Sequence, residues 1–142
     1  MNNTKINISI ILVRLIVGLV FLSEGIQKFL FQDVLGIGRF TKIGLPFPHF
    51  LGYCVPTFEV GCGALILTGL FTRLASIPLT IIMLVAIAST KIPILLNEGF
   101  WKMAHEARTD WAMLLGSVFL LIAGAGTYSM DHYFSAKKKS NN

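Results

Sequence analysis

Residues Arg14 to Lys28 read RLIVGLVFLSEGIQK and lie inside an apolar run from Ile8 to Phe31. A bilayer core about 30 Å thick takes about 20 apolar residues to cross as a helix, so this run is long enough to span. The run nevertheless keeps Arg14, Glu24 and Lys28. An ionisable group at membrane depth is costly and faces a protein interior or water, so each one marks a candidate site. At roughly 100° per residue, Arg14, Gly18, Phe21, Gly25 and Lys28 fall within roughly 80° of one another on a helix. The stripe has a cation at each end and small or aromatic packing positions between. Glu24 precedes Lys28 by four residues, the favourable order for an ion pair on one helix.

The rest of the chain agrees with a membrane reading. Of 142 residues, 54% are hydrophobic and 13% charged, and the mean hydropathy is +0.72. Soluble chains carry about 25% charged residues. The length suits one domain, residues 1–142. A net charge of +5 raises nucleic acid as a partner, but no basic face is interleaved with aromatics, which excludes it. Lys137, Lys138 and Lys139 read instead as a membrane flank. Cys54 and Cys62 sit eight residues apart in one expected helix, roughly 12 Å along its axis, too far for a disulfide.

Three further spans follow the first. Gln32 to Phe50 reads as a loop, punctuated by Gly36, Gly38, Gly44, Pro46 and Pro48, yet apolar enough to lie in the membrane interface or to fold onto the bundle mouth. The second span runs from about 51 to 71 and carries Glu59; Glu59, Gly63, Ile66 and Arg73 share one face at helical spacing. A short turn at Thr72–Arg73 makes the third span, about 74–96, its antiparallel neighbour. The fourth apolar run, Trp111 to Gly126, is short for a span. Extending it back to about Ala104 gives a full crossing, about 104–126, with Glu106 and Asp110 one turn apart near its mouth. Trp101, Trp111, Tyr53 and Tyr128 fall at span ends, as in an aromatic belt. The expected fold is an all-α integral membrane four-helix bundle with spans at about 8–31, 51–71, 74–96 and 104–126. An even number of spans puts both termini on one side. Lysine and arginine divide six against six between the two sides, and the tail lysines favour cytoplasmic termini.

The pattern resembles the DoxX family of small four-helix membrane proteins. Arg14-x3-Gly18-x2-Phe21-x3-Gly25-x2-Lys28 carries the likeness in the first span. Glu59-x-Gly61-x-Gly63, Gly69 and Thr72-Arg73 carry it in the second, and Gly124-x-Gly126-x2-Ser129-x-Asp131 at the end. The resemblance implies a place in redox metabolism at the bacterial cytoplasmic (inner) membrane. Its namesakes are associated with a thiosulfate:quinone oxidoreductase and a terminal quinol oxidase. It implies no agreed set of catalytic residues.

The residues themselves leave the chemistry open. Lys28 at the far end of the first span and Glu59 toward the near end of the second meet at similar depth if the helices are antiparallel. They form either an acid–base or anion-binding pair in a wet mouth, or an ion pair that locks two helices. Lys28, Glu59, Glu106 and Asp110 are the catalytic candidates; Glu24, Lys28, Glu59 and His105 are the cofactor-binding candidates. Arg14 and Arg73 are expected to snorkel to headgroups at the other end, with Asp131 as a potential partner. His49 and His105 share the Lys28 side, but their spacing matches no metal motif, so no metal is expected. With no nucleotide fingerprint and no nucleophile–base motif, electron chemistry would be carrier-borne, which points to quinone. The leading expectation is a quinone- or redox-linked subunit of a membrane oxidoreductase assembly. A non-catalytic membrane anchor or assembly partner and a small-solute or proton pathway are the alternatives. Expected partners are the lipid bilayer, membrane or soluble redox proteins, and a second copy of the chain.

Overall fold

A computed structural model describes residues 3–140 of the chain, with side chains from 4 to 137. The described residues form seven helices and no strand: α1 (Asn3–Leu30), α2 (Ile37–Lys42), α3 (Pro48–Thr68), α4 (Thr72–Glu98), α5 (Phe100–Glu106), α6 (Arg108–Ala123) and α7 (Met130–Ser140). The fold is all-α, and α1, α3 and α4 are long and apolar enough to cross a membrane. Their outward surfaces are leucine, isoleucine, valine and phenylalanine, a lipid-facing composition.

The fourth pass departs from the continuous helix expected from about Ala104. It is broken at Ala107, and α6 has 16 residues, about 24 Å of helix, which is short of the hydrocarbon thickness. Ala107 is fully buried, and backbone bonds Ala107 N to Met103 O and Trp111 N to Ala107 O carry the chain across the break. The second span also ends earlier than expected. Gly69, in the left-handed region at φ 72°, closes α3, with Gly69 N donating to Ile66 O and Leu70 N to Leu65 O. Arg73 therefore belongs to α4, and the face it was expected to share with Glu59 stops at Ile66.

The four passes pack as two antiparallel pairs, α1 with α3 and α4 with α6; further packing of α3 on α4 and of α1 on α6 closes the ring. All five stripe residues of α1 are buried. A Cβ at Gly63 would lie 3.0 Å from Gly18 O and 3.0 Å from Leu22 N, so α1 and α3 approach backbone to backbone. Val17, Phe21, Ile66, Leu79, Met113 and Leu120 are the centre of the core.

One end of the bundle is stitched shut around Arg14. This side chain is 4% exposed and does not snorkel. Its Nε donates to Ile66 O (2.9 Å), Nη2 to Leu67 O (2.8 Å), and Nη1 to Ala125 O (3.1 Å) and Tyr128 O (2.8 Å). These carbonyls lie at the C-terminus of α3 and just beyond the C-terminus of α6, where helix carbonyls lack internal partners and a cation suits the dipole. Arg73 is exposed and donates to Ile122 O at 3.0 Å. Asp131 forms an ion pair with neither arginine; its Oδ1 accepts from Phe71 N at 2.9 Å.

Candidate functional site

At the opposite end the two helix pairs enclose a cavity of about 510 Å³. The α1–α3 pair contributes Glu24, Lys28 and Glu59; the α4–α6 pair contributes Lys91, Asp110 and Thr109. The segment between α1 and α3, read from sequence as a loop in the interface or on the bundle mouth, contains the short helix α2. Arg39, the buried Phe40, Ile43 and Leu45 of this segment line the cavity, and Glu106 joins them from α5. Phe21, Val55, Ile82 and Met113 form apolar walls. Ile81 and Val85 line it too while remaining exposed on the outside of α4, so the cavity reaches the lipid-facing surface.

Two ion pairs face this space, one from each helix pair. Lys28 Nζ lies 2.8 Å from Glu59 Oε1, 2.7 Å from Glu59 Oε2 and 3.4 Å from Glu24 Oε2. Lys28 and Glu59 are both buried, whereas Glu24 is about half exposed. The geometry depends on Gly25, where a Cβ would stand 2.9 Å from Pro56 O and 3.0 Å from Glu59 Cβ. That close approach lets a lysine on α1 reach both oxygens of a carboxylate on α3. Across the cavity, Lys91 Nζ lies 3.1 Å from Asp110 Oδ2, with Lys91 largely and Asp110 partly buried.

The two lysines differ in what they have left to give. An ammonium has three hydrogens. Lys28 meets three carboxylate oxygens and is fully engaged, whereas Lys91 has one ion-pair partner. Of the two cavity lysines, Lys91 is therefore the largely buried one with donors to spare for a ligand acceptor. Cations held beside carboxylates in an apolar wall bind an acceptor strongly because the low dielectric raises the value of each charged hydrogen bond.

The structure brings the candidates Lys28, Glu59, Glu106, Asp110 and Glu24 to one cavity. It does not bring His105 there: this residue is exposed, against the Arg108 side chain. Glu106 faces the cavity mouth and lies 3.7 Å from exposed Lys102. Lys91 and Arg39 were missing from the candidates. Lys91 was readable as the counter-charge of Asp110, since both fall at the same end of adjacent antiparallel spans. Arg39 carried no such signal, because the path of a loop is not set by helical spacing.

Residues 9–92 match the sequence model of the family described as DoxX. The chain is 51% identical over 135 residues to "Uncharacterized membrane protein Rv3486" of Mycobacterium tuberculosis (strain ATCC 25618 / H37Rv), covering 91% of this chain and 83% of that protein. It is 30% identical over 143 residues to "Putative oxidoreductase CatD" of Bacillus subtilis (strain 168), covering 99% of this chain and 97% of that protein. No solved structure is significantly similar to the chain.

Proposed function

The chain belongs to the DoxX family of membrane proteins, and we propose that it is the quinone-binding subunit of a membrane oxidoreductase assembly. The observation that supports this reading is the pair of ion pairs facing one apolar-walled cavity that opens toward lipid. A volume of about 510 Å³ suits a small-molecule ring, since ligand pockets run to about 300–1,000 Å³. A quinone offers two carbonyl acceptors on a flat ring and an apolar tail. Lys91 would supply hydrogens to a carbonyl, Phe21, Phe40 and Met113 would hold the ring, and the gap beside Ile81 and Val85 would admit the tail. When bound, the quinone supplies two-electron, two-proton redox chemistry.

Within this site Asp110 fixes the Lys91 ammonium. Glu59 holds Lys28, and Glu24 links that pair to the cavity mouth. The name of the Bacillus relative, an oxidoreductase, agrees with a redox role. On the same reading the chain sits in the bacterial cytoplasmic membrane with both termini cytoplasmic. The test is purification in mild detergent, followed by extraction and identification of bound quinone and of co-purifying proteins. About one quinone per chain is expected. Quinone-free protein carrying a stoichiometric enzyme would overturn the proposal in favour of a non-catalytic anchor.

A further inference from the structure

The charges of this chain are divided unevenly along the bundle axis. At the Arg14 end lie six cations (Lys5, Arg14, Arg73, Lys137, Lys138 and Lys139) and one carboxylate, Asp131. The Lys28 end holds the other six cations and the other six carboxylates. The whole net charge of +5 therefore belongs to the end that carries the termini.

Helix α7 leaves the bundle at that end. Its first turn is tied down: Asp131 N donates to Gly69 O at 3.1 Å, Phe71 N to Asp131 Oδ1 at 2.9 Å, and His132 N to Ser129 Oγ at 3.2 Å. Beyond that turn α7 lays no face along another helix among the described residues. His132 and Ser135, on one side, line an open groove of about 440 Å³ with Phe71, Arg73 and Leu74. At roughly 100° per residue, Met130, Tyr133 and Phe134 lie on the opposite side. All three are exposed, Tyr133 by 63%. An isolated helix of 11 residues is marginal in water, and an uncovered aromatic face makes it more so. Three consecutive lysines, Lys137 to Lys139, stand in the last turn of the helix. By the same spacing Lys137 falls in the apolar arc, where its long stem can lie with the aromatics while its ammonium reaches the headgroups. Apolar arc, polar arc and basic run together make an amphipathic segment suited to the membrane interface.

We propose that α7 is an interfacial arm that lies on, and recognises, an anionic phospholipid leaflet. Met130, Tyr133 and Phe134 enter the acyl boundary, and the basic run of the sequence that follows them, with Arg73, brings positive charge to the lipid phosphates. Juxtamembrane cations contribute about 1 kcal/mol each near an anionic surface, which is about fivefold per lysine and roughly a hundredfold for three.

The test uses the full chain with Phe134→Cys as the sole cysteine (Cys54→Ser, Cys62→Ala), spin-labelled and reconstituted in nanodiscs. Collision with oxygen and with a water-soluble nickel complex reports the depth of the label. In discs containing phosphatidylglycerol the label is expected to be lipid-immersed. It should return toward water in pure phosphatidylcholine, at high salt, or when Lys137, Lys138 and Lys139 are all changed to Gln. A label that is equally water-exposed in both lipids would overturn the proposal, and so would equal immersion in both, which removes the anionic recognition. The lipid comparison uses one folded protein, so the result does not depend on the lysine variant.

Discussion

Lys28 has three hydrogens and three carboxylate oxygens around it, which makes its removal and that of its partner unequal to ordinary surface changes. Glu59→Gln leaves the buried ammonium with an amide oxygen instead of a bidentate carboxylate. Breaking one side of a buried pair costs about 3 kcal/mol, so the variant should unfold at a clearly lower temperature in detergent, read by loss of the monodisperse peak. Arg14→Met should do at least as much damage. It strips four carbonyls of a charged donor, and such bonds are worth about 1.5–3 kcal/mol each. Arg14→Lys should rescue only part, because an ammonium lacks the planar fork that spans two helix ends. The sequence predicted Lys28 with Glu59, because both carry charge and antiparallel spans bring their depths together. It did not predict the Arg14 clamp. Backbone carbonyls are the partners, and every residue has one, so no pattern of residue types marks them.

At the scale of elements, the long helices were legible because apolar length and glycine spacing both register in the sequence. Gly25 is the position where helix approach and site geometry coincide. Gly25→Leu should push α1 from α3, separate Lys28 from Glu59 and lower thermal stability, as overpacking typically costs about 1–3 kcal/mol. The variant should also lose any bound ligand in proportion. The break at Ala107 was not legible: no glycine or proline marks it, and the residue is buried by tertiary packing. Helix α7 was hidden for the opposite reason. Its mean polarity reads as a tail, and only the i, i+3, i+4 placing of Met130, Tyr133 and Phe134 betrays a face. The short helix α2 is hidden among glycines and prolines that read as loop; composition leaves that segment either in the interface or on the bundle mouth, and the structure has it line the cavity.

For the whole molecule, the division between a stitched end and an open end is the feature that links fold to function. Arg14, Asp131 and Gly69 close one end, and the two ion pairs hold charge at the other without filling the space between them. The even number of passes sets both termini at the closed end, where the net positive charge also lies. Reporter fusions at Asn142 should therefore be active in the cytoplasm and silent in the periplasm; the reverse would invert the proposed orientation. The cavity itself is tested most directly by titrating purified wild-type protein and Lys91→Met with a short-tailed quinone, after confirming that both run as folded, monodisperse species. A charged hydrogen bond worth about 1.5–3 kcal/mol predicts that Lys91→Met weakens binding by at least about tenfold while the protein stays folded. Folded Lys91→Met that binds the quinone as tightly as wild type would contradict it.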